Sequence, residues 1–233
     1  MTNFKLKFKN FIFYIVILIF TFLFLHFAVA ASPQFLTSWQ SNSYVPSWYQ
    51  GKIFPTRGSL INVSFEIINN DKIADISKNK IRWYINDKLI KNENNGLGIR
   101  SLKFINDDFP GGEISVKIAV VDYAAEPLYK IIRIPVVSPE AVIDAPYAER
   151  KINTGKNLFR VFPFFFNIKN LNSLSFEWQA NEQTSEAAEN PQELNLNIDL
   201  QTPSRTVINI AAIIKNISNQ LEFASKNIKL EVK

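Results

Sequence analysis

The sequence predicts an all-β protein, two tandem β-sandwiches behind an N-terminal signal or transmembrane helix. Three observations lead there. Ile81-Arg82-Trp83-Tyr84-Ile85 and Leu174-Ser175-Phe176-Glu177-Trp178 place apolar residues at every second position, the period of a strand with one buried face. Trp178 lies 95 residues after Trp83, and two more strands recur near that offset. Ile208, Ile210, Ala212 and Ile214 follow Ile114, Val116, Ile118 and Val120 at 94, and Ile228, Leu230 and Val232 follow Ile132, Ile134 and Val136 at 96. A long apolar block opens the chain. The 233 residues include no cysteine, so no disulfide framework is available, and Trp83 and Trp178 are the expected structural core of the two units.

The apolar block comes first. Lys5, Lys7 and Lys9 precede Phe11 to Leu25, which is apolar except for Thr21, and Ala28-Val29-Ala30 offers a small-x-small cleavage pattern. Residues 1–30 therefore read as a signal peptide, cut after Ala30. An uncleaved membrane anchor over residues 11–31 stays open, because about 20 apolar residues suffice to cross a bilayer. Both readings put the rest of the chain outside the cytoplasm, secreted or anchored to the outer face of the cytoplasmic membrane. His26, the one histidine, falls inside this block. Without the three leader lysines the 26 basic residues become 23 against 21 acidic ones, and no Lys/Arg run stands out. Nucleic acid is not an expected partner. Asn62-Val63-Ser64 and Asn216-Ile217-Ser218 match the glycosylation sequon and read as chance occurrences.

Residues 32–58 have no clear period but hold Trp39, Tyr44, Trp48, Tyr49 and Phe54 between turn-forming prolines and glycines, with an edge strand expected near Leu36 to Trp39. Leu60 to Ile67 alternates as a half-buried strand. A polar connection runs from Asn69 to Lys80, followed by the Trp83 strand, a turn at Asn86-Asp87-Lys88 and a short return at Leu89-Ile90. Leu97 to Ile105, Ile114 to Val120 and Leu128 to Val137 complete the first unit. Ser138-Pro139-Glu140 is the expected linker between a first domain, 31–137, and a second, 138–233. The second repeats the plan, with a turn at Gln179-Ala180-Asn181 and one short helix, or a solvated acidic loop, at Glu182 to Glu189. Short strands between turn signals in units of about 100 residues point to Ig-like sandwiches.

The chain also resembles the two-domain exported proteins with PKD-like or Ig-like sandwich repeats found in uncultivated bacteria with small genomes. Tyr44-Val45-Pro46, Tyr49-Gln50-Gly51-Lys52, Pro55, Gly58-Ser59, Trp83-Tyr84-Ile85-Asn86 and Gly96-Leu97-Gly98 carry the likeness in the first unit. Pro163-Phe164-Phe165-Phe166 and Phe176-Glu177-Trp178 carry it in the second. The resemblance implies an architecture and says little about activity. The second unit departs from it, with Asn216 where the first has Asp122.

Chemistry finds few candidates. Outside the leader there is neither Cys nor His, so soft-metal sites and nucleophile–base pairs lack their residues. Asp107, Asp108 and Glu113 around Gly111-Gly112 are the best oxygen set for calcium, although a hairpin loop explains the same residues. No cofactor is expected and the chain is expected not to be an enzyme. Trp39, Tyr44, Trp48 and Tyr49 are the sharpest signal. They form either a platform for a glycan or peptide, or a plug that closes an open end of the first sandwich; plugging is the preferred reading. Leu158 to Phe166 is apolar at nearly every position, which implies cover on both faces, preferably by interdomain packing. The expected function is a non-enzymatic structural or interaction protein of the cell envelope. Its expected partner is a cell-surface protein or a glycan, and the alternative is an adhesion module that binds through the aromatic cluster.

Overall fold

Alternation along the sequence becomes alternation of burial in the computed structural model, which describes Ile15 and residues 32–145, 147–185 and 189–233. The strands of the first half are β1 (Gln34–Ser41), β2 (Leu60–Asn69), β3 (Lys72–Ile73), β4 (Ile81–Ile85), β5 (Lys88–Lys91), β6 (Ser101–Ile105), β7 (Glu113–Val120) and β8 (Leu128–Pro135). The second half holds β9 (Glu140–Asp144), β10 (Lys151–Ile152), β11 (Gly155–Phe164), β12 (Leu174–Ala180), β13 (Gln183–Ser185), β14 (Glu193–Ile198), β15 (Val207–Asn216) and β16 (Asn219–Val232).

Four sheets result. β1-β2-β3, with β6 also on β2, and β5-β4-β7-β8 come from the first half; β14-β11-β9 and β10-β16-β15-β12-β13 come from the second. In each half the same exchange occurs. The second long strand (β2, β11) pairs with the strand before the penultimate one (β6, β14). The next (β4, β12) crosses to the other sheet and pairs with the penultimate strand (β7, β15), which pairs with the last (β8, β16). This is the strand exchange of an Ig-like sandwich.

By internal contacts the described chain divides into a small unit, residues 32–36 with Glu66–Asp75, and a large one, Thr37–Phe65 with Ile76–Lys233. In the small unit β2 turns into β3 through Asn70-Asp71, both at positive φ (49° and 58°), with Ile68 opposite Ile73. Paired positive φ values match the right-handed twist of a two-residue hairpin, and Asn and Asp tolerate them.

The large unit holds both indole cores. Trp83 and Trp178 are buried, on β4 and β12. The Trp83 ring meets Phe65 of the opposite sheet at 5.6 Å, and Ile61, Val63, Leu102, Val116 and Ile118 of these two sheets are buried as well. Trp178 lies in one cluster with Phe159, Val161 and Leu194 of one sheet and Ile210, Ala212 and Leu230 of the other. Burying an indole removes roughly 200 Å² from water, about 5 kcal/mol as an upper figure at about 25 cal/mol per Å².

The two cores agree residue by residue. Trp83 stands opposite Ile118, which stands opposite Lys130; Trp178 stands opposite Ala212, which stands opposite Lys226. Each indole N–H crosses to the other sheet's approach segment, donating to Ile99 O at 2.9 Å and to Pro191 O at 3.2 Å, two residues before β6 and β14. Asn86-Asp87 and Asn181-Glu182 both turn at positive φ. The Asn86 side chain accepts from Ser115 N–H and its backbone N–H donates to Ser115 O, and Asn181 does the same with Asn209. A Trp-x-x-Asn pair at one offset of 95 thus fixes the same corner twice.

Several elements differ from the sequence expectation. The strand expected over Leu97 to Ile105 begins only at Ser101, because Gly98 sits at φ +65° with Ser77 O only 2.6 Å from where a Cβ would be. The connection from Asn69 to Lys80 contains β3 and the fully buried Ile76. β12 runs through Gln179 and Ala180, which moves the turn to Asn181-Glu182. In place of a short helix after Glu182, Gln183–Ser185 is a strand paired with β12; residues 186–188 lie outside the described ones. The expected leader, 1–30, with Lys5, Lys7, Lys9 and His26 lies outside them too, as does the 11–31 anchor apart from Ile15. Among the described residues no helix is long and apolar enough to cross a membrane.

Outside the core, Arg82 donates from Nε and Nη2 to the two carboxylate oxygens of Glu93 at 3.0 and 2.6 Å, a bidentate pair that ties the 92–95 turn to β4. The Arg82 hydrogen bond pulls the Glu93 pKa down to about 2.

Two outcomes follow from these contacts. Trp83→Phe and Trp178→Phe keep most of the ring but strand one carbonyl each, so each lowers unfolding free energy in urea by about 1–3 kcal/mol, and by similar amounts. In carboxyl-detected NMR, Glu93 titrates near 2. Its stabilising contribution is full above the unfolded pKa of about 4.3 and disappears as pH falls toward the folded value. Glu93→Gln removes that acid-range dependence.

Candidate interaction surface

The loop from Asn42 to Ser59 is shaped by polar groups that leave water. Ser43, Thr56, Ser59 and Asn106 are all buried. Thr56 N–H donates to Ser43 Oγ at 3.3 Å; Ser59 Oγ and Asn106 Nδ2 donate to Thr56 O at 2.7 and 3.0 Å. Gly58 N–H reaches Asn106 O at 2.7 Å and Val137 N–H reaches Pro55 O at 3.0 Å. A loop so pinned presents its side chains from a fixed backbone.

Its aromatic residues meet the end of β11. Tyr44 and Phe166 form an antiparallel bridge: Tyr44 N–H donates to Phe166 O at 2.6 Å and Phe165 N–H to Tyr44 O at 2.7 Å. Phe165 takes φ +60°, a costly conformation for a bulky side chain, and it does so where the chain leaves β11 for the bridge. The rings form a continuous series: Trp39 to Phe54 at 6.0 Å, Phe54 to Phe165 at 5.8 Å, Phe165 to Phe164 at 6.0 Å, Phe164 to Trp48 at 5.8 Å and Trp48 to Phe162 at 5.4 Å. Tyr49 lies against both Phe164 and Phe165, at 5.4 and 6.3 Å. The planes are tilted or edge-on throughout, the geometry that the ring quadrupole favours.

Of the four aromatic residues singled out in the sequence, Tyr44, Trp48 and Tyr49 are gathered against Phe162–Phe166, and Trp39 joins through Phe54. Trp39, Tyr44 and Tyr49 are half-buried, while Trp48 is 58% exposed. The ring series runs between the 39–54 segment and the end of β11. The Lys52 ammonium lies 3.8 Å from the centre of the Trp39 ring and donates to Trp39 O, and burial lowers its pKa.

The expected cover on both faces of Leu158 to Phe166 holds only toward its end, because Leu158 and Arg160 are exposed while Phe159 and Val161 are buried. Gly155–Arg160 pairs with β14 and Arg160–Phe164 with β9, so each half of the strand, the far end included, is paired on one side. Pro163 falls in that one-sided stretch, opposite Ala141, where its missing N–H deprives no partner. Phe164, Phe165 and Phe166 are all buried.

A second concave feature, about 460 Å³, lies beside this region. Phe109, capped by the Arg57 guanidinium at 4.1 Å, and the exposed Leu221 form its apolar walls. The buried Glu222 carboxylate accepts from Asn167 N–H and Asn216 Nδ2, both at 2.5 Å. Asn216 is itself buried, so its sequon is closed to modification in the folded chain. The counterpart Asp122 accepts from Lys80 N–H at 2.8 Å and Asn79 Nδ2 at 3.1 Å, bonds that lower its pKa. Asp108 accepts from Asn86 Nδ2 at 3.0 Å, and among the described residues no three His, Asp or Glu side chains gather as a metal set.

No protein-family model matches the sequence, and no curated protein matches it. Solved structures similar to the chain include the Clostridium thermocellum CbhA fibronectin(III)-like modules, at 13% identity and a TM-score of 0.28 over 84% of this chain and 93% of that one. Three N-terminal domains of the bacteriophage RB49 highly immunogenic outer capsid protein match at 11% identity and a TM-score of 0.42, over 85% of this chain and 59% of theirs. Bacteroides ovatus SGBP-B of a mixed-linkage glucan utilization locus, solved with a mixed-linkage heptasaccharide, matches at 13% and 0.25, over 86% and 47%. The strand order and the two cores, not these likenesses, carry the fold.

Substitution separates the buried from the open part of the ring series. Phe165→Ala costs about 3–5 kcal/mol in chemical denaturation, as for other buried aromatic truncations. Trp48→Ala loses only edge contacts of about 0.5–1.5 kcal/mol each. Equal costs at the two positions would contradict this division.

Proposed function

We propose that the chain is a non-catalytic, extracytoplasmic interaction protein of the cell envelope. In this reading two Ig-like domains, 31–137 and 138–233, are held in one mutual orientation and present their outer faces to partners. The observation that carries it is the ring series from Trp39 to Phe162 with the Tyr44–Phe166 bridge. Such a run of aromatic contacts supports a fixed joint, because a flexible linker would need none. Residues 1–30 would supply the export signal or, if uncleaved, residues 11–31 the anchor.

A second reading rests on Trp48. More than half of its surface is open to a sugar or peptide while its ring meets Phe162 and Phe164 in T-shaped contacts. Under that reading the joint doubles as a glycan-binding or peptide-binding platform.

Residual dipolar couplings test the joint. One alignment tensor fits both halves of the native chain, and Phe164→Ala/Phe165→Ala splits it into two; two independent tensors in the native chain would contradict the rigid joint. A glycan array tests the platform: retention lost in Trp48→Ala supports it, and no retention by the native chain removes it. Alkaline phosphatase fused after residue 31 is active only if exported, and an inactive fusion contradicts the extracytoplasmic assignment.

A further inference from the structure

The duplication supplies an internal control for what the scaffold requires. On the outer face of the β5-β4-β7-β8 sheet one cross-strand row reads Leu89, Tyr84, Lys117, Ile131. The row at the matching register of the second half reads Thr184, Gln179, Ala211, Asn227. The neighbouring row in the first half ends on Tyr129, opposite Ala119; its counterpart ends on Ser225, opposite Ile213. The same strands, the same indole and the same Asn-anchored turn thus carry Thr184, Gln179, Ala211, Asn227 and Ser225 at these positions in one copy, whose exposed Phe223 stands further along, opposite Lys215. In the other they carry two tyrosines, two aliphatic side chains and a lysine. Folding does not demand the second set.

Three of that set are open to solvent, and Tyr84 and Lys117 are half-buried. Tyr129 is 67% exposed, Ile131 49% and Leu89 44%. The Lys117 ammonium stands 5.4 Å from the Tyr84 ring and 5.9 Å from the Tyr129 ring, held over the face by both. Neither Lys117 nor Arg133, one row along opposite Ser115, makes an ion pair among the described residues. Arg82 is neutralised by Glu93, and the one carboxylate on these four strands, Glu113, stands at the start of β7.

We propose that this face docks an acidic segment of a partner protein. Its carboxylates would meet Lys117 and Arg133, and its apolar side chains would cover Leu89, Ile131 and the tyrosine edges. The charges select the occupant. A second copy apposed face to face would set Lys117 and Arg133 against their own kind. A polyanionic sugar would satisfy the cations but leave the aliphatic residues uncovered, with both tyrosine rings already engaged by Lys117. An anionic bilayer is recognised by clusters of about 4–8 basic residues, more than Lys117 and Arg133 supply. The inference rests on the interaction-protein reading but not on the joint, and Trp48 has no part in it.

The test uses the full chain and fluorescent 12-residue peptides alternating Glu with Leu or Phe, each paired with a twin carrying Lys for Glu. Polygalacturonate and phosphatidylglycerol vesicles are run beside them. The acidic peptides bind and their Lys twins do not, with binding falling as salt rises. Tyr84→Gln/Lys117→Ala/Ile131→Asn, which installs residues the second copy already tolerates, weakens binding by about tenfold or more. The double change Lys117→Glu/Arg133→Glu, which turns both cations of the face into carboxylates, reverses the preference toward the Lys twin. Trp48→Ala leaves binding unchanged. Equal binding of the twins, binding indifferent to both variants, or binding of polygalacturonate or vesicles but no peptide would each overturn the proposal. A flexible joint in the dipolar couplings would leave it standing.

Discussion

A sandwich without disulfides needs a side chain large enough to fill the gap between its sheets and polar enough to tie them together. An indole does both, and each half of this chain places one there. The ring displaces water from the centre of the gap, while its single N–H, which would be costly to bury unpaired, is satisfied by a carbonyl of the opposite sheet. Because that carbonyl belongs to the segment entering β6 or β14, the indole also sets where those strands begin. Register then propagates through β7 and β15, whose residues facing the indoles face equivalent lysines beyond.

From that anchor the remaining differences between the halves gain meaning. Both keep Trp-x-x-Asn, with the Asn side chain holding the next sheet strand through Ser115 or Asn209. What lies between Trp and Asn is free: Tyr84-Ile85 in one, Gln179-Ala180 in the other. On the outer faces the first half sets Tyr84 and Tyr129, on β4 and β8, where the second has Gln179 and Ser225. The scaffold is thus repeated while its surfaces differ.

Much of this is legible in the sequence, because period-two burial and a fixed offset are local signals. Trp83, Trp178 and the Ile114 and Ile208 strands can be placed from alternation alone. The turn after Trp178 falls later than its composition suggests, since Gln179 and Ala180 look as turn-like as strand-like until Asn181 is recognised as the counterpart of Asn86. The short strand at 183–185 reads as helix or loop because its only support is pairing with β12, a contact that no local pattern records. The parallel pairing of Ile152 with Val232 is hidden for the same reason. The aromatic cluster is visible as composition, but its partners are not. Trp48 and Tyr49 meet Phe162, Phe164 and Phe165 directly, more than 110 residues further along the chain, and Trp39 reaches β11 only through Phe54.

Hydrogen exchange of the four indole N–H protons tests the central claim most directly, because each reports on one tryptophan in the intact chain. The account predicts that the Trp83 and Trp178 protons, bonded to Ile99 O and Pro191 O, exchange only through global opening, while the Trp48 proton is lost within the dead time. A Trp83 or Trp178 indole proton that exchanges as fast as that of Trp48 would contradict it.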